Sequence, residues 1–373
     1  MTPPQIAQAH QRPYLSPLPR AQPAEPIQLL DPTGTLTQLG FAMSPSPDCA
    51  RQLYRDMFLA RRFDTEAFSL QRKGELGLWL MSLGQEAAQV GSIRALRDTD
   101  HVFPSYREHA AALCRGIVPA ELLGQWRGIA HSGWDPDTYR FHIYTLVLAA
   151  QTLHATGYAM GVQRDGVDEL VLTYFGDGAT SQGDFNEALV WASSTRAPVL
   201  FFCQNNQWAI STPVSTQSRV GLHTRAAGFG LPSYVVDGND ALAVHEVTRQ
   251  AASGVRSGSG PAFIEAVTYR MAGHSTSDDP TRYRVEAEVE QWRQRDPLTR
   301  MRQYLQGILT PKSYFDRLDD EADRLSDETR SVVATLADPA PASIFDHVYA
   351  GQHPLLEEQR EQFAAYLATF EER

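Results

Sequence analysis

The sequence predicts an α/β protein: a mostly parallel sheet flanked by helices, with an extended N-terminal arm and a helical C-terminal region. Three observations predict it. Residues 170–175 (LVLTYF) and 199–203 (VLFFC) are short apolar runs without polar alternation, the pattern of strands covered on both faces. Residues 184–195 between them read as a helix, with Asp184 placed to cap it and Glu187 at the reciprocal capping-box position. Strand, helix and strand in that order make a right-handed crossover, and α/β sheets bind ligands at the carboxyl ends of such strands. Residues 286–373, by contrast, show helical patterning without further strand–helix alternation.

The elements follow in order. Residues 1–48 form a Pro-rich arm. Its first 24 residues carry no acid and six prolines, which spoil an amphipathic helix and predict a disordered lead. Residues 49–73 read as a helix with an Arg-rich face that turns Leu53, Met57, Leu59 and Ala60 to a core. A helix over 84–97 and a loop through 103–107 lead to helical segments over 108–128. Residues 134–137 (WDPD) make a turn. A helix over 151–163 is expected to bring Gly157 and Gly161 against the sheet. After the crossover come a strand over 233–236, a helix around 240–256 and a strand over 262–269. The domain division expected is 1–48, 49–285 and 286–373, and no internal repeat is visible.

Composition bounds the function. A chain of 373 residues with a net charge of −11 is a poor partner for nucleic acid or an anionic membrane. No apolar run reaches membrane-spanning length. Three cysteines without metal-like spacing fit a reducing compartment, and with no secretory signal a cytoplasmic protein is expected. Lysine occurs only at Lys73 and Lys312, an arginine bias that points to a GC-rich bacterial source. Neither lysine lies in a phosphate-binding loop pattern, and no strand-linked Gly-x-Gly-x-x-Gly supports a nicotinamide-dependent dehydrogenase.

The chemistry is carried by Gly176-Asp177-Gly178 after the first strand and Asn205-Asn206 after the second. One carboxylate and two side-chain amides at adjacent strand ends form a hard-oxygen set suited to magnesium that also holds phosphate oxygens. With the surrounding words YFGDGATSQG (174–183), FFCQNNQWAIST (201–212), VVDGND (235–240) and GHSTSDD (273–279), the chain resembles the α subunit of the decarboxylating component of 2-oxoacid dehydrogenase complexes. The branched-chain type is the nearest, and the likeness runs over about residues 50–300.

The resemblance implies a thiamin diphosphate-binding fold. It also implies thiamin-dependent oxidative decarboxylation of a 2-oxoacid, with the acyl group passed to a lipoyl group of the acyltransferase component. It implies Asp177, Asn206 and the Trp208 carbonyl as magnesium ligands. Tyr106, Arg107, Leu146, Leu148, Gly176, Gly178, Ala179 and Gln204 become cofactor contacts, and His274 a cofactor contact that assists acyl transfer. Gln204 stands where some members have arginine, which leaves the diphosphate charge to magnesium, Arg107 and helix N-termini. Several members have Ser-Pro-Leu where Leu146-Val147-Leu148 stands here. The one sheet visible supplies half of a thiamin site, so the resemblance implies a β subunit in an α2β2 assembly. The pyruvate or acetoin version of the subunit shares every motif, and a catalytically silent scaffold is the reading from a different class.

Each residue also has a plainer reading. Arg107 alone would be a surface ion-pair member, His274 a solvated loop residue, Asn205 a turn former, and Leu146 and Leu148 ordinary core. Residues 273–284 (GHSTSDDPTRYR) are expected to form an ordering lid, freed at Gly273 and stiffened by Pro280. Asp278 and Asp279 are expected to pair with Arg282 and Arg284. Ser275 matches the phosphorylation position of eukaryotic relatives or is simply a loop serine.

Overall fold

The computed structural model describes residues 24–130 and 133–371. Five strands form one wholly parallel sheet: β1 (His101–Phe103), β2 (Val171–Gly176), β3 (Val199–Asn205), β6 (Ser233–Asp237) and β7 (Ala262–Val267), in the order β1-β2-β3-β7-β6. A two-stranded hairpin, β4 (Trp208–Ala209) with β5 (Thr212–Pro213), follows directly on β3. The expected α/β class is the observed one. β1 falls between the expected helix 84–97 and loop 103–107, overlapping the loop only at Phe103, because three residues beginning with His101 carry no strand pattern of their own.

Alternate residues of each strand feed two cores, since side chains on a strand point to opposite faces. Leu170, Leu172, Tyr174, Leu200, Phe202 and Ile264 pack on one side with the helices Pro47–Arg72, Glu86–Arg94 and Ala241–Gly254. Val171, Phe175, Val199, Phe201, Cys203 and Phe263 pack on the other with Ala150–Asp165 and Gly183–Thr195. Burial on both faces is why β2 and β3 read as unbroken apolar runs.

Several local expectations are corrected. The crossover helix starts at Gly183 after Gln182 and has no side-chain cap; Asp184 sits in its first turn, and Glu187 accepts instead from Trp191 Nε1 at 2.8 Å. Gly157 and Gly161 are exposed, with nothing within 4 Å of a built Cβ, so Ala155 and Ala159 make the close approach to the sheet. The arm is not wholly extended. It contains a helix, Gln38–Met43, and is strapped to the sheet edge. Ile27 bridges to Val236, and the Leu29 and Leu30 amides both donate to Asp240 at 2.7 Å. The disorder expected for residues 1–23 falls outside the described residues.

The Arg-rich face of Pro47–Arg72 faces the acidic helix Lys312–Thr335. Arg55 pairs with Glu321, Arg62 with Asp323 at 3.0 Å, and Glu66 accepts from Arg330 at 2.7 Å. The helices Pro297–Gly307 and Lys312–Thr335 thus lie against the first long helix, while Glu286–Arg293 packs through Val289 beside Trp208 and Tyr269.

Candidate active site

A cleft of about 430 Å³ opens at the carboxyl ends of β2 and β3. All twelve residues that the resemblance assigns to the site line it, Tyr106, Arg107, Leu146, Leu148, Gly176, Asp177, Gly178, Ala179, Gln204, Asn206, Trp208 and His274, whereas Asn205, the other amide of the pair, does not.

The floor comes from the crossover. β2 ends at Gly176, and Asp177 opens a short 3-10 turn. Gly178 has no room for a side chain, since a Cβ there would stand 2.7 Å from Ala209 Cβ of β4. Asp177 is 1% exposed, and its Oδ1 has no partner among the described residues. Burial raises the Asp177 carboxyl to about 6, with the Gln217 hydrogen bond pulling the other way. A buried carboxylate with one free oxygen calls for a cation. Asn206 donates its Nδ2 to Gln85 Oε1 at 3.2 Å, which orients its Oδ1, and the Trp208 amide donates to that Oδ1 at 3.3 Å. Among the described residues no group of three or more His, Cys, Asp or Glu could hold a metal. A metal in this cleft would therefore use one carboxylate with amide and backbone oxygens, the donor set of a hard cation. Asn205 is structural: its Nδ2 donates to buried Glu265 at 2.7 Å, and its Oδ1 accepts from the Gln207 amide at 3.3 Å.

The wall is the segment that follows β7. Arg107 is buried and donates to the Met81 carbonyl at 2.6 Å and to the His274 carbonyl at 2.9 Å. Its other contact is His274 Nδ1 at 3.3 Å, while Arg270 reaches the same nitrogen at 3.4 Å. Guanidinium groups only donate, so Nδ1 accepts and the ring proton sits on Nε2. Burial first, then Arg107 and Arg270, lower His274 to about 4, and the ring is neutral at neutral pH. Arg270 also ties wall to floor: it donates to the Trp208 carbonyl at 3.3 Å, to Ile210 O at 2.7 Å and to Tyr283 Oη at 2.7 Å.

The expected Asp–Arg pairing within the loop is not what forms. Asp278 Oδ2 accepts from the His274 amide at 2.6 Å and from Tyr283 Oη at 2.5 Å. Asp279 caps the turn Pro280–Arg282 through Thr281. Arg284 turns back to the Arg270 and Met271 carbonyls. Gly273 is not in a left-handed conformation; a Cβ there would stand 3.1 Å from Ser275 O, so close packing rather than freedom favours glycine. Ser275 is 9% exposed, and its Oγ accepts from the Ser277 amide.

Leu146 and Leu148 are not core. They are 59% and 41% exposed at the mouth of the cleft, beside Val147 at 70%.

Three groups at or behind the site escaped sequence reasoning, Glu108 and Asp64 buried and Gln217 half-buried. Glu108 lines the cleft, accepts from Ser105 Oγ at 2.9 Å and from Gln204 Nε2 at 2.6 Å, and is raised by burial. Gln217 donates to Asp177. Asp64 accepts from Trp79 Nε1 at 2.8 Å and is raised by burial to about 7. Trp79 in turn accepts at its carbonyl from the Thr276 amide, so Asp64 buttresses the loop. A Glu next to the Tyr-Arg pair was the one visible signal; nothing near Gln217 or Asp64 in the sequence marks them.

A sheet whose carboxyl edge holds one carboxylate, an asparagine pair and an arginine-held histidine defines the class. The family model of the dehydrogenase E1 component matches residues 54–331, and the chain belongs to that family. It is 44% identical over 347 residues to the 3-methyl-2-oxobutanoate dehydrogenase subunit alpha of Mycobacterium tuberculosis, covering 92% of this chain and 95% of that protein. It is 35% identical to the pyruvate dehydrogenase E1 component subunit alpha of Acholeplasma laidlawii, covering 85% and 93% of the two chains. The Staphylococcus aureus protein of the same name is 36% identical, covering 76% and 77%.

Proposed function

We propose that this chain is the α subunit of a branched-chain 2-oxoacid dehydrogenase. In that role it acts in the oxidative decarboxylation of 3-methyl-2-oxobutanoate and transfer of the acyl group to a lipoyl group. The greater identity and coverage of the 3-methyl-2-oxobutanoate relative, against the pyruvate relatives, favour the branched-chain substrate. One observation carries the cofactor reading. The Asp177 carboxylate is buried with a free oxygen in a cleft that Asn206 and Trp208 also line.

These residues fit magnesium and thiamin diphosphate. Asp177 Oδ1, Asn206 Oδ1 and the Trp208 carbonyl would hold the metal. Arg107 has donors to spare for the diphosphate beyond those spent on Met81 and His274. Thiamin diphosphate supplies the electron sink for loss of carbon dioxide from the 2-oxoacid. His274, neutral with its proton on Nε2, is a hydrogen-bond donor at the reacting end. The exposed apolar side chains of Leu146 and Leu148 at the mouth would meet an aliphatic substrate tail.

The other half of the site comes from a β subunit. The described residues hold one parallel sheet, and the reading needs a second polypeptide for the aminopyrimidine. The assembly is α2β2, working with a lipoyl-bearing acyltransferase. Among the described residues no helix is long and apolar enough to cross a membrane.

A panel of 2-oxoacids given to the αβ assembly tests the substrate. The specificity constant for 3-methyl-2-oxobutanoate should exceed that for pyruvate by at least about 10-fold, because each of its two extra carbons is worth ~1–3 kcal/mol in an apolar pocket. A preference for pyruvate would shift the assignment to the pyruvate type.

A further inference from the structure

Asp177 is held from outside the motif that contains it. Its Oδ2 accepts from Gln217 Nε2 at 3.0 Å, while its Oδ1 has no hydrogen-bond partner among the described residues. Gln217 lies forty residues later, in the single-turn helix Val214–Gln217 that follows the β4–β5 hairpin. Its carboxamide can be oriented from its neighbours. Ser181 Oγ donates to Gln217 Oε1 at 3.4 Å, and Nε2 also approaches the Thr212 carbonyl at 3.4 Å. The opposite flip would set a carbonyl oxygen against a carboxylate and against another carbonyl. The amide therefore points its donor at Asp177.

The same stretch of chain grips the floor again further on. Arg225 donates to the Thr180 carbonyl at 2.7 Å and to Thr180 Oγ1 at 3.2 Å, within the turn Asp177–Ser181. His223 donates its backbone amide to Glu265 at 2.9 Å, and its ring Nδ1 lies 2.6 Å from the same carboxylate. Glu265 holds Asn205, the neighbour of Asn206. Residues 217–225 thus touch both strand ends of the floor: Asp177 at the end of β2 directly, and the asparagine pair at the end of β3 through Glu265. In the chain these contacts span gaps that no local motif encodes.

We infer that Gln217 is a positioning residue for the metal: by occupying Asp177 Oδ2 it fixes the carboxylate with Oδ1 turned to the cleft. This rests on the reading of Asp177 as a magnesium ligand. A carboxylate held by one oxygen is a monodentate ligand of set direction, and losing such an outer hydrogen bond costs about 10- to 100-fold in metal affinity. A donor that merely occupies the place of the cation would compete with it, and its removal would tighten binding.

The test is calorimetry on the αβ assembly with Gln217→Leu, which keeps the volume and removes the amide. Magnesium is titrated at saturating thiamin diphosphate, and thiamin diphosphate is titrated at saturating magnesium. The variant should bind magnesium about 10- to 100-fold more weakly. Its thiamin diphosphate affinity at saturating magnesium, its KM for the 2-oxoacid and its melting temperature should stay at the parent values. Gln217→Glu should fail to rescue, since it sets a second carboxylate against Asp177 Oδ2. Unchanged or tighter magnesium binding in Gln217→Leu overturns the inference, as does an equal loss in every measured quantity. Asp177→Ala is the control that separates the two claims. If it binds magnesium normally, the metal reading itself fails; if it loses binding while Gln217→Leu does not, only the positioning role fails.

Discussion

The floor and the wall of the cleft are built on different principles. The floor is placed by backbone and braced from outside: β2 and β3 end side by side in register, Gly176 opposite Gln204, the chemistry-bearing residues follow at once, and the side chains of Gln217, His223 and Arg225 hold them. The wall is set by side chains reaching backbone. Arg107, Arg270, Asp278, Tyr283 and Arg284 fix His274 through bonds to carbonyls, an amide and one another. A floor of this kind tolerates no change at its few ligands but survives as structure without them. A wall of this kind spreads its order over many bonds, so each loss loosens it in part.

The sharpest way to break the comparison is at the floor. Asp177→Ala or Asn206→Ala should abolish magnesium-dependent binding of thiamin diphosphate, read by calorimetry on the αβ assembly, with the melting temperature retained. Retained affinity in both variants would remove the metal assignment and with it the special status of the floor.

A smaller effect is expected at the wall. Asp278→Asn removes a charge that accepts from the His274 amide and from Tyr283 Oη. Hydrogen bonds to a charged group are worth about 1.5–3 kcal/mol, so amide protection over residues 273–284 should fall by about 10- to 100-fold. Protection in β2 and β3 should not move. Equal loosening of floor and wall would show that the two are one cooperative unit.

The smallest effect concerns Asp64 behind the wall. Its carboxyl is raised by burial from 3.8 to about 7 in the folded chain. As pH rises from the unfolded value toward 7, the unfolded chain releases this proton while the folded chain keeps it. The folded state loses stability across that window. Asp64→Asn removes the dependence, so the variant should gain on the parent between about pH 5 and pH 8, by on the order of 1–3 kcal/mol. Thermal melts at the two pH values check this, and a constant offset would contradict the burial argument.

The same contrast explains what the sequence disclosed. The crossover was legible because buried strands must be apolar and their exits carry the ligands, so the strand ends marked Asp177 and the pair Asn205-Asn206; the resemblance chose Asn206 from the pair. All twelve residues that the resemblance implied meet in one cleft. The wall's residues were visible but not their pairing. Asp278 and Asp279 had nearby arginines to choose, yet burial beside His274 and Tyr283 decided Asp278's partners. Gly157 and Gly161 read as packing residues, but helix phase turned them outward. β1 was missed because three residues are too few for a period, and only pairing with Val171–Thr173 makes it a strand. Gln217 and Asp64 act across long sequence gaps, where side-chain identity carries no local signal.

The central claim is that this chain supplies the metal and diphosphate half of a shared site and a β subunit supplies the rest. Carbon dioxide release from 3-methyl-2-oxobutanoate is the most direct measurement, made with magnesium, thiamin diphosphate and an artificial electron acceptor in place of the lipoyl group, on the purified chain and again after addition of the β subunit. No turnover by the chain alone and turnover on mixing is the result expected. Robust decarboxylation by the chain alone would contradict it.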